Sequence, residues 1–225
     1  MKKFKVWIDE AWRWPWLWPV VSCALCFDDL ENIDKSFLSM INDSKKLSEK
    51  KREELFKKLI DMSLWEKPRV YFWVWVVDNF LIDEINIRQA NKEAMRRAIL
   101  ELQRKISKEN IATVMIDWND NYECVELKKK AIFVIWWDSK ILEIWAASII
   151  AKVFRDNLIK TYSLLYPDMN LENHKWYGTK KHIEYLNKKE KITWIHRLSY
   201  KPVKKILEEK EKLLDGVKIL FYNDE

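Results

Sequence analysis

Glycine is almost missing from this chain: 2 glycines and 14 tryptophans occur among 225 residues. Average usage would give roughly 16 glycines at this length. Glycine supplies the positive-φ turns and close backbone approaches that other residues resist, so its scarcity restricts how the chain can reverse direction. Tryptophan is normally the rarer of the two. The composition reads as though most glycines had been written as tryptophan.

The rest of the composition supports a packed core. Apolar residues make up 48% of the chain, which argues against disorder although 34% of residues are charged. The length suits one compact domain, or one with a small appendage. The most apolar stretch, residues 14–27, contains Pro15 and Pro19 and is shorter than the ~20 residues a membrane span requires. Asp9, Glu10 and Arg13 precede or open it, which is not the organisation of a secretory signal. Cys23, Cys26 and Cys124 build no disulfide framework. Cys23-x-x-Cys26 lies in a β-like run, and no second such pair completes a four-cysteine zinc site. The expectation is a cytoplasmic monomer with no membrane contact.

The net charge is +6 and the isoelectric point is near 9.0. Residues 171–215 hold 12 Lys/Arg against 7 Asp/Glu. Such a surplus suits an anionic partner such as nucleic acid, although a charged run also serves simply as a solvated helix face.

Hydrophobic periodicity divides the chain into strands and helices. Residues 4–8 form a short apolar strand that runs into Asp9 and Glu10, and residues 20–27 form a second. A helix of about four turns starts at Glu49, with Leu55, Leu59 and Ile60 inward. Residues 70–77 are β-like, 84–106 helical, and 112–116 and 131–135 buried strands. Residues 142–165 read as a long helix, apolar nearly all round through Ile150 and closed by Pro167. Residues 182–188 and 203–214 are helix candidates in a basic tail. The order indicates an α/β core over residues 1–166 and a helical, basic region over 167–225.

Four carboxylates share one property. Asp9, Glu10, Asp117 and Asp138 each sit at or just beyond the C-terminal end of an apolar strand, the edge of α/β sheets where ligands bind. A strand-end aspartate taken alone is equally a turn former or helix cap. Acids gathered on neighbouring strands repel one another unless cations compensate them. Hard divalent ions such as Mg²⁺ or Mn²⁺ prefer oxygen ligands, and two of them form the clamp used for phosphodiester displacement.

The segment Trp7-Ile-Asp-Glu-Ala-Trp-Arg-Trp-Pro-Trp-Leu-Trp-Pro-Val-Val21 resembles the opening signature of ribonuclease HII, GIDEAGRGPxxGPVV, with tryptophan in its glycine positions. The likeness runs along nearly the whole chain. Asp43-Ser-Lys-Lys-Leu47 resembles the family's DSKKL, Asn86-Ile-Arg-Gln-Ala90 its NIxxA helix start, and Ile116-Asp-Trp118 its strand-end D-G. Trp137-Asp-Ser-Lys140 and Ala146-Ala-Ser-Ile-Ile-Ala-Lys-Val153 resemble GDxK and AASIxAKV. His174-Lys-Trp-Tyr-Gly-Thr179 resembles HKGYGT, and Ile195-His-Arg-Leu-Ser199 resembles IHRxS.

The resemblance implies an RNase H-like mixed β-sheet core flanked by helices, with a C-terminal helical subdomain. It implies an endonuclease that cleaves the RNA strand of RNA–DNA hybrids and nicks at ribonucleotides embedded in duplex DNA, leaving 3′-hydroxyl and 5′-phosphate ends, with roles in DNA replication and repair. Its metal-binding acids fall on Asp9, Glu10, Asp117 and Asp138, holding two Mn²⁺ or Mg²⁺ ions. Recognition of the 2′-hydroxyl falls on the loop Trp12-Arg13-Trp14 and on Tyr177, which is expected to pack on the sugar at the RNA–DNA junction. Lys45, Lys46 and Lys175 become candidate phosphate contacts, since lysine acts on phosphate as a point charge. His174, His182 and His196 are expected to cap or pack, and Ser148 to pack or to hydrogen-bond behind the site. The absence of a domain before Asp9, and Asp rather than Glu at 138, favour this class over its sister, ribonuclease HIII. The apolar residues Ile219-Leu-Phe-Tyr222 suggest a sliding clamp as a further partner, or a tail packed on its own domain.

Trp7, Trp12, Trp14, Trp18, Trp118, Trp137 and Trp176 occupy family glycine positions, with Trp75 as an eighth. For Trp16, Trp65, Trp73, Trp136, Trp145 and Trp194 the resemblance identifies no family glycine. We expect a codon that the source organism reads as glycine to have been rendered as tryptophan, which the gene and the intact-protein mass test. Taken literally, indoles at 12 and 14 would obstruct the backbone's approach to substrate. That leaves a catalytically inactive nucleic-acid-binding relative as the alternative; a purely structural module would leave the four acids unexplained.

Overall fold

The structure, a computed structural model, describes residues 2–11, 15–107, 110–116, 131–133, 141–169, 171, 177–189 and 195–209. Five strands form one mixed sheet among them. They are β1 (Phe4–Ala11), β2 (Val20–Phe27), β3 (Val70–Val77), β4 (Ile111–Ile116) and β5 (Ala131–Phe133), in the order β3-β2-β1-β4-β5. β1, β2 and β3 pair antiparallel, whereas β1–β4 and β4–β5 are parallel. The helices are α1 (Lys35–Met40), α2 (Glu49–Leu64), α3 (Asn79–Ile106), α4 (Leu142–Leu165) and α5 (Lys180–Lys189), with a 3₁₀ turn at Pro167–Met169 and a last helix, α6, at 201–209.

β1 is longer than expected. Its parallel ladder with β4 ends at Ile8↔Ile116, while its antiparallel ladder with β2 continues to Ala11↔Val21. Asp9 and Glu10 therefore lie inside the strand, beyond the last residue paired to β4. Side chains alternate across a strand. Val6 and Ile8 join the apolar cluster under α3, whereas Ala11 joins the cluster under α4. Asp9 thus falls on the α4 face and Glu10 on the α3 face.

Local chemistry sets the helix ends. Ser48 Oγ accepts from Lys51 N at 3.2 Å, and Asp78 Oδ1 accepts from Leu81 N at 2.9 Å, so both act as N-caps. The inner face of α2 is Leu55, Leu59 and Met62; Ile60 is only half-buried. α3 starts five residues before the periodicity suggested, and breaks at Asn86, whose φ is 65°. There Asn86 Oδ1 accepts from Arg88 N at 3.0 Å and Gln89 N at 3.1 Å, capping the second segment. α1 carried too little periodicity to be read; Asp34 caps it by accepting from Ser36 N at 2.9 Å.

α3 covers one face through Met95, Ala98, Ile99 and Leu102, and α4 the other through Ala146, Ala147, Ile150 and Val153. Residues 195–199 strap the basic C-terminal region to this core. Trp18 N donates to Ile195 O and Arg197 N to Trp16 O, both at 2.8 Å. Asp83 on α3 accepts from Leu198 N and Ser199 N, again at 2.8 Å. No helix among the described residues is long and apolar enough to cross a membrane.

Candidate active site

Asp9 is buried and Glu10 half-buried, and the Glu10 amide donates to Asp9 Oδ1 at 2.7 Å. Two groups on the α4 face feel the Asp9 charge. Cys23, its partner across the β1–β2 ladder, has a thiol pushed well up by burial and by Asp9. Lys152 on α4 has its ammonium pulled down by burial, while Asp9 pulls it back up. Lys45 and Arg52 push in the same direction as burial, and Asp43 opposes them.

Lys152 is held through the Asp43-Ser-Lys-Lys-Leu47 segment. Its Nζ donates to Ser44 Oγ, and Ser44 Oγ lies 2.9 Å from Ser148 Oγ, also on α4. The segment folds on itself: Asp43 Oδ1 accepts from Lys45 N at 3.0 Å and Asp43 O from Lys46 N at 2.9 Å. Arg52, in the first turns of α2, ties it down by donating to Ser44 O at 3.1 Å and Leu47 O at 2.6 Å. This leaves the Lys45 and Lys46 side chains exposed beside the buried polar cluster. Exposed lysines near a buried acid can meet an anionic polymer while the acid meets its cations.

Tyr177 lies against the following turn of the same helix. Arg155, three residues after Lys152, is fully buried and its pKa falls to about 10 through burial, opposed by Asp156 and Tyr177. The Tyr177 phenol is raised by burial and by Asp156, against Arg155. Three residues of helix, about 4.5 Å of rise, separate Lys152, which feels the Asp9 charge, from Arg155, which feels Tyr177. Arg52 spans both, since its Nη2 also lies 3.9 Å from Asp156 Oδ2.

His182 and His196 are buried. Trp12, Arg13, Trp14, Asp117, Asp138, His174, Lys175, Trp118, Trp137 and Trp176 lie outside the described residues. Ile116, which precedes Asp117 in the chain, pairs with Ile8, which precedes Asp9. Sequence reasoning missed Lys152, Arg52 and the Arg155–Asp156 pair. The signal for the last was an adjacent pair of opposite charges within a mostly apolar helix.

The donors present suit a hard cation. Asp9 and Glu10 offer carboxylate oxygens only, and the Cys23 thiol nearby is held protonated by burial, so soft-metal ligation is disfavoured. No three His, Cys, Asp or Glu side chains converge among the described residues.

Of the tryptophans at family glycine positions, Trp18 has φ 32°, in the region that favours glycine. Trp7 is buried against Ile144 of α4, and Trp75 sits 5.3 Å from the Arg97 guanidinium.

Residues 6–203 match the family model described as Ribonuclease HII. The ribonuclease HII of Ligilactobacillus salivarius is 40% identical over 204 residues, 89% of this chain and 70% of that protein. The ribonuclease HII of Fusobacterium nucleatum is 41% identical over 206 residues, 91% of this chain and 88% of its own. Among solved structures, the ribonuclease H2 from Pyrococcus horikoshii OT3 superposes with a TM-score of 0.70 at 26% identity, over 93% of this chain and 99% of that one. The ribonuclease HII of Archaeoglobus fulgidus, solved in complex with PCNA, gives 0.68 at 22% identity over 90% and 96%. Bst-RNase HIII in complex with Mn²⁺ gives 0.68 at 15% identity over 94% and 71%. These last two share the fold.

Proposed function

The chain belongs to the ribonuclease HII family and is a type II ribonuclease H acting on RNA–DNA hybrids; from that premise we propose that it also nicks duplex DNA at single embedded ribonucleotides, leaving 3′-hydroxyl and 5′-phosphate ends. The observation that carries the reading is the placement of Asp9 on the α4 face, beside Lys152 and the Asp43–Leu47 segment. Asp9, Glu10, Asp117 and Asp138 would hold two divalent ions, Mg²⁺ or Mn²⁺, which supply water activation and stabilisation of the leaving oxygen.

The chain's own residues bind and orient the substrate. Lys45, Lys46 and Lys175 meet backbone phosphates, which fixes the register of the duplex without reading its sequence. Trp12-Arg13-Trp14 and Tyr177 read the 2′-hydroxyl and the sugar at the RNA–DNA junction. Residues 1–166 form the catalytic core, and 167–225 the basic region that clasps the duplex. We read the enzyme as a cytoplasmic monomer, with residues 219–222 as a sliding-clamp contact.

The test is a DNA duplex carrying one ribonucleotide, incubated with Mg²⁺ or Mn²⁺ and protein whose mass establishes glycine at positions 7, 12, 14 and 18. Nicking beside the ribonucleotide is expected. Binding without nicking would leave the chain a nucleic-acid-binding relative instead.

A further inference from the structure

We propose that His182 and His196 form a buried bridge that positions Tyr177 against residues 15–18, the segment that follows Trp12-Arg13-Trp14 in the chain, and so fixes the spacing on which junction reading depends. The inference rests on the reading in which Tyr177 and residues 12–14 sense the junction.

The bridge is continuous in its bonds. His182 Nδ1 lies 3.2 Å from Tyr177 O, and His182 Nε2 lies 3.3 Å from His196 Nε2. Both rings are buried, at 1% and 0% exposure. A carbonyl can only accept, so His182 Nδ1 carries a proton and donates. In a neutral His182 ring that leaves Nε2 as an acceptor, and His196 Nε2 is then the donor. Each ring nitrogen along the path therefore has a defined role.

From His196 the path enters residues 15–18. Leu17 and His196 form an antiparallel bridge, flanked by the bonds from Trp18 N to Ile195 O and from Arg197 N to Trp16 O. Arg197 Nε donates to Trp18 O at 2.8 Å, and Asn79 Nδ2 on α3 donates to His196 O at 3.1 Å. The two ends of the path also touch directly. A Cβ on Gly178, the residue after Tyr177, would run into the Trp16 ring, so a larger residue there would have to displace the indole. Tyr177 and residues 15–18 are thus held by one buried polar path and one close backbone approach, far apart in sequence and adjacent in space.

The experiment compares His196→Gln, whose carboxamide can donate to His182 Nε2, with His196→Met, which fills similar volume and cannot. Two substrates are used: a DNA duplex with one ribonucleotide and a uniform RNA–DNA hybrid. His196→Met should lower kcat/KM on the single-ribonucleotide duplex by about tenfold, the equivalent of one buried hydrogen bond, and change cleavage of the uniform hybrid by less than about threefold. His196→Gln should recover most of that loss. Tyr177→Ala separates the two levels. If it leaves the ratio between substrates unchanged, the junction-reading role of Tyr177 fails. If it lowers the ratio while His196→Met and His196→Gln behave alike, the bridge is overturned and Tyr177 stands. Should either His196 variant unfold, His182→Asn decides. It keeps a donor near the Nδ1 position for Tyr177 O and loses the contact with His196, so an unchanged ratio overturns the bridge.

Discussion

α3 and α4 cover opposite faces of one sheet and are of similar length, 28 and 24 residues, yet they place their polar groups in opposite ways. α3 buries hydrocarbon along most of its length, Asn91 beside Ser22 being an exception in its second segment. Its ion pairs face outward: Glu93 accepts from Arg96 Nε at 2.6 Å and Arg97 Nε at 2.5 Å, with both arginines partly in solvent. α4 buries Ser148, Arg155 and Asp156, and half-buries Lys152. Burying an Arg–Asp pair carries a desolvation cost that its attraction only partly offsets, so stability alone does not call for it. The difference teaches that α3 supplies cohesion, while α4 spends some of it to hold polar groups beneath Asp9 and Tyr177.

The division is tested most severely at Asp9. Asp9→Asn should reduce cleavage by at least about a thousandfold, roughly 4 kcal/mol of transition-state stabilisation, with duplex binding largely kept. Near-normal cleavage, measured on the single-ribonucleotide duplex, would remove the proposed metal site from the α4 face. Asp156→Asn comes next. It leaves the Arg155 guanidinium buried without its carboxylate neighbour 3.3 Å away, and should cost about 3–5 kcal/mol in urea unfolding. Leu102→Ala on α3 opens a cavity in a fully buried site and should cost about 2–5 kcal/mol. Its activity per folded molecule should stay near normal. If Leu102→Ala instead abolished cleavage in folded protein, cohesion and chemistry would not be divided between the helices.

These contrasts were only half legible in the sequence. The uniform apolar pattern of 142–150 and the 3.6-residue period of 84–106 identify both helices, because burial of a stripe or of a whole circumference writes itself into residue type. The ranges of β2 and β3 also follow from their apolar runs. What the pattern does not encode is pairing at a distance. Lys152 meets Ser44 across 108 positions and Asp83 meets Ser199 across 116, and neither partner's identity predicts the other. The extension of β1 past Ile8 was hidden for a related reason: it depends on β2 continuing alongside, whereas the charge of Asp9 and Glu10 argues locally for a strand end. The glycine deficit was the most visible feature, and Trp18 now gives it a conformational counterpart. A φ of 32° at a bulky residue costs about 1–2 kcal/mol, which glycine would avoid.

The smallest expected effect lies on the outer side of α3. Glu93 is held at about 2, below its ordinary 4.5, by hydrogen bonds from Arg96 and Arg97 against a modest burial cost. Because the folded pKa is the lower one, the stabilisation is complete above the ordinary value and is lost as pH falls from 4.5 toward 2. The arginines are 31% and 42% exposed, so solvent screening reduces the contribution to under about 1 kcal/mol at neutral pH. Glu93→Gln should therefore lower stability slightly at pH 7 and converge with the parent near pH 2–3, in urea unfolding at matched ionic strength. Asp156→Asn offers the contrast at the same chemistry, since its larger cost should change little with added salt. Equal salt dependence in the two variants would mean that the α4 pair is solvated like the α3 pair, and that the two helices differ less than their burial implies.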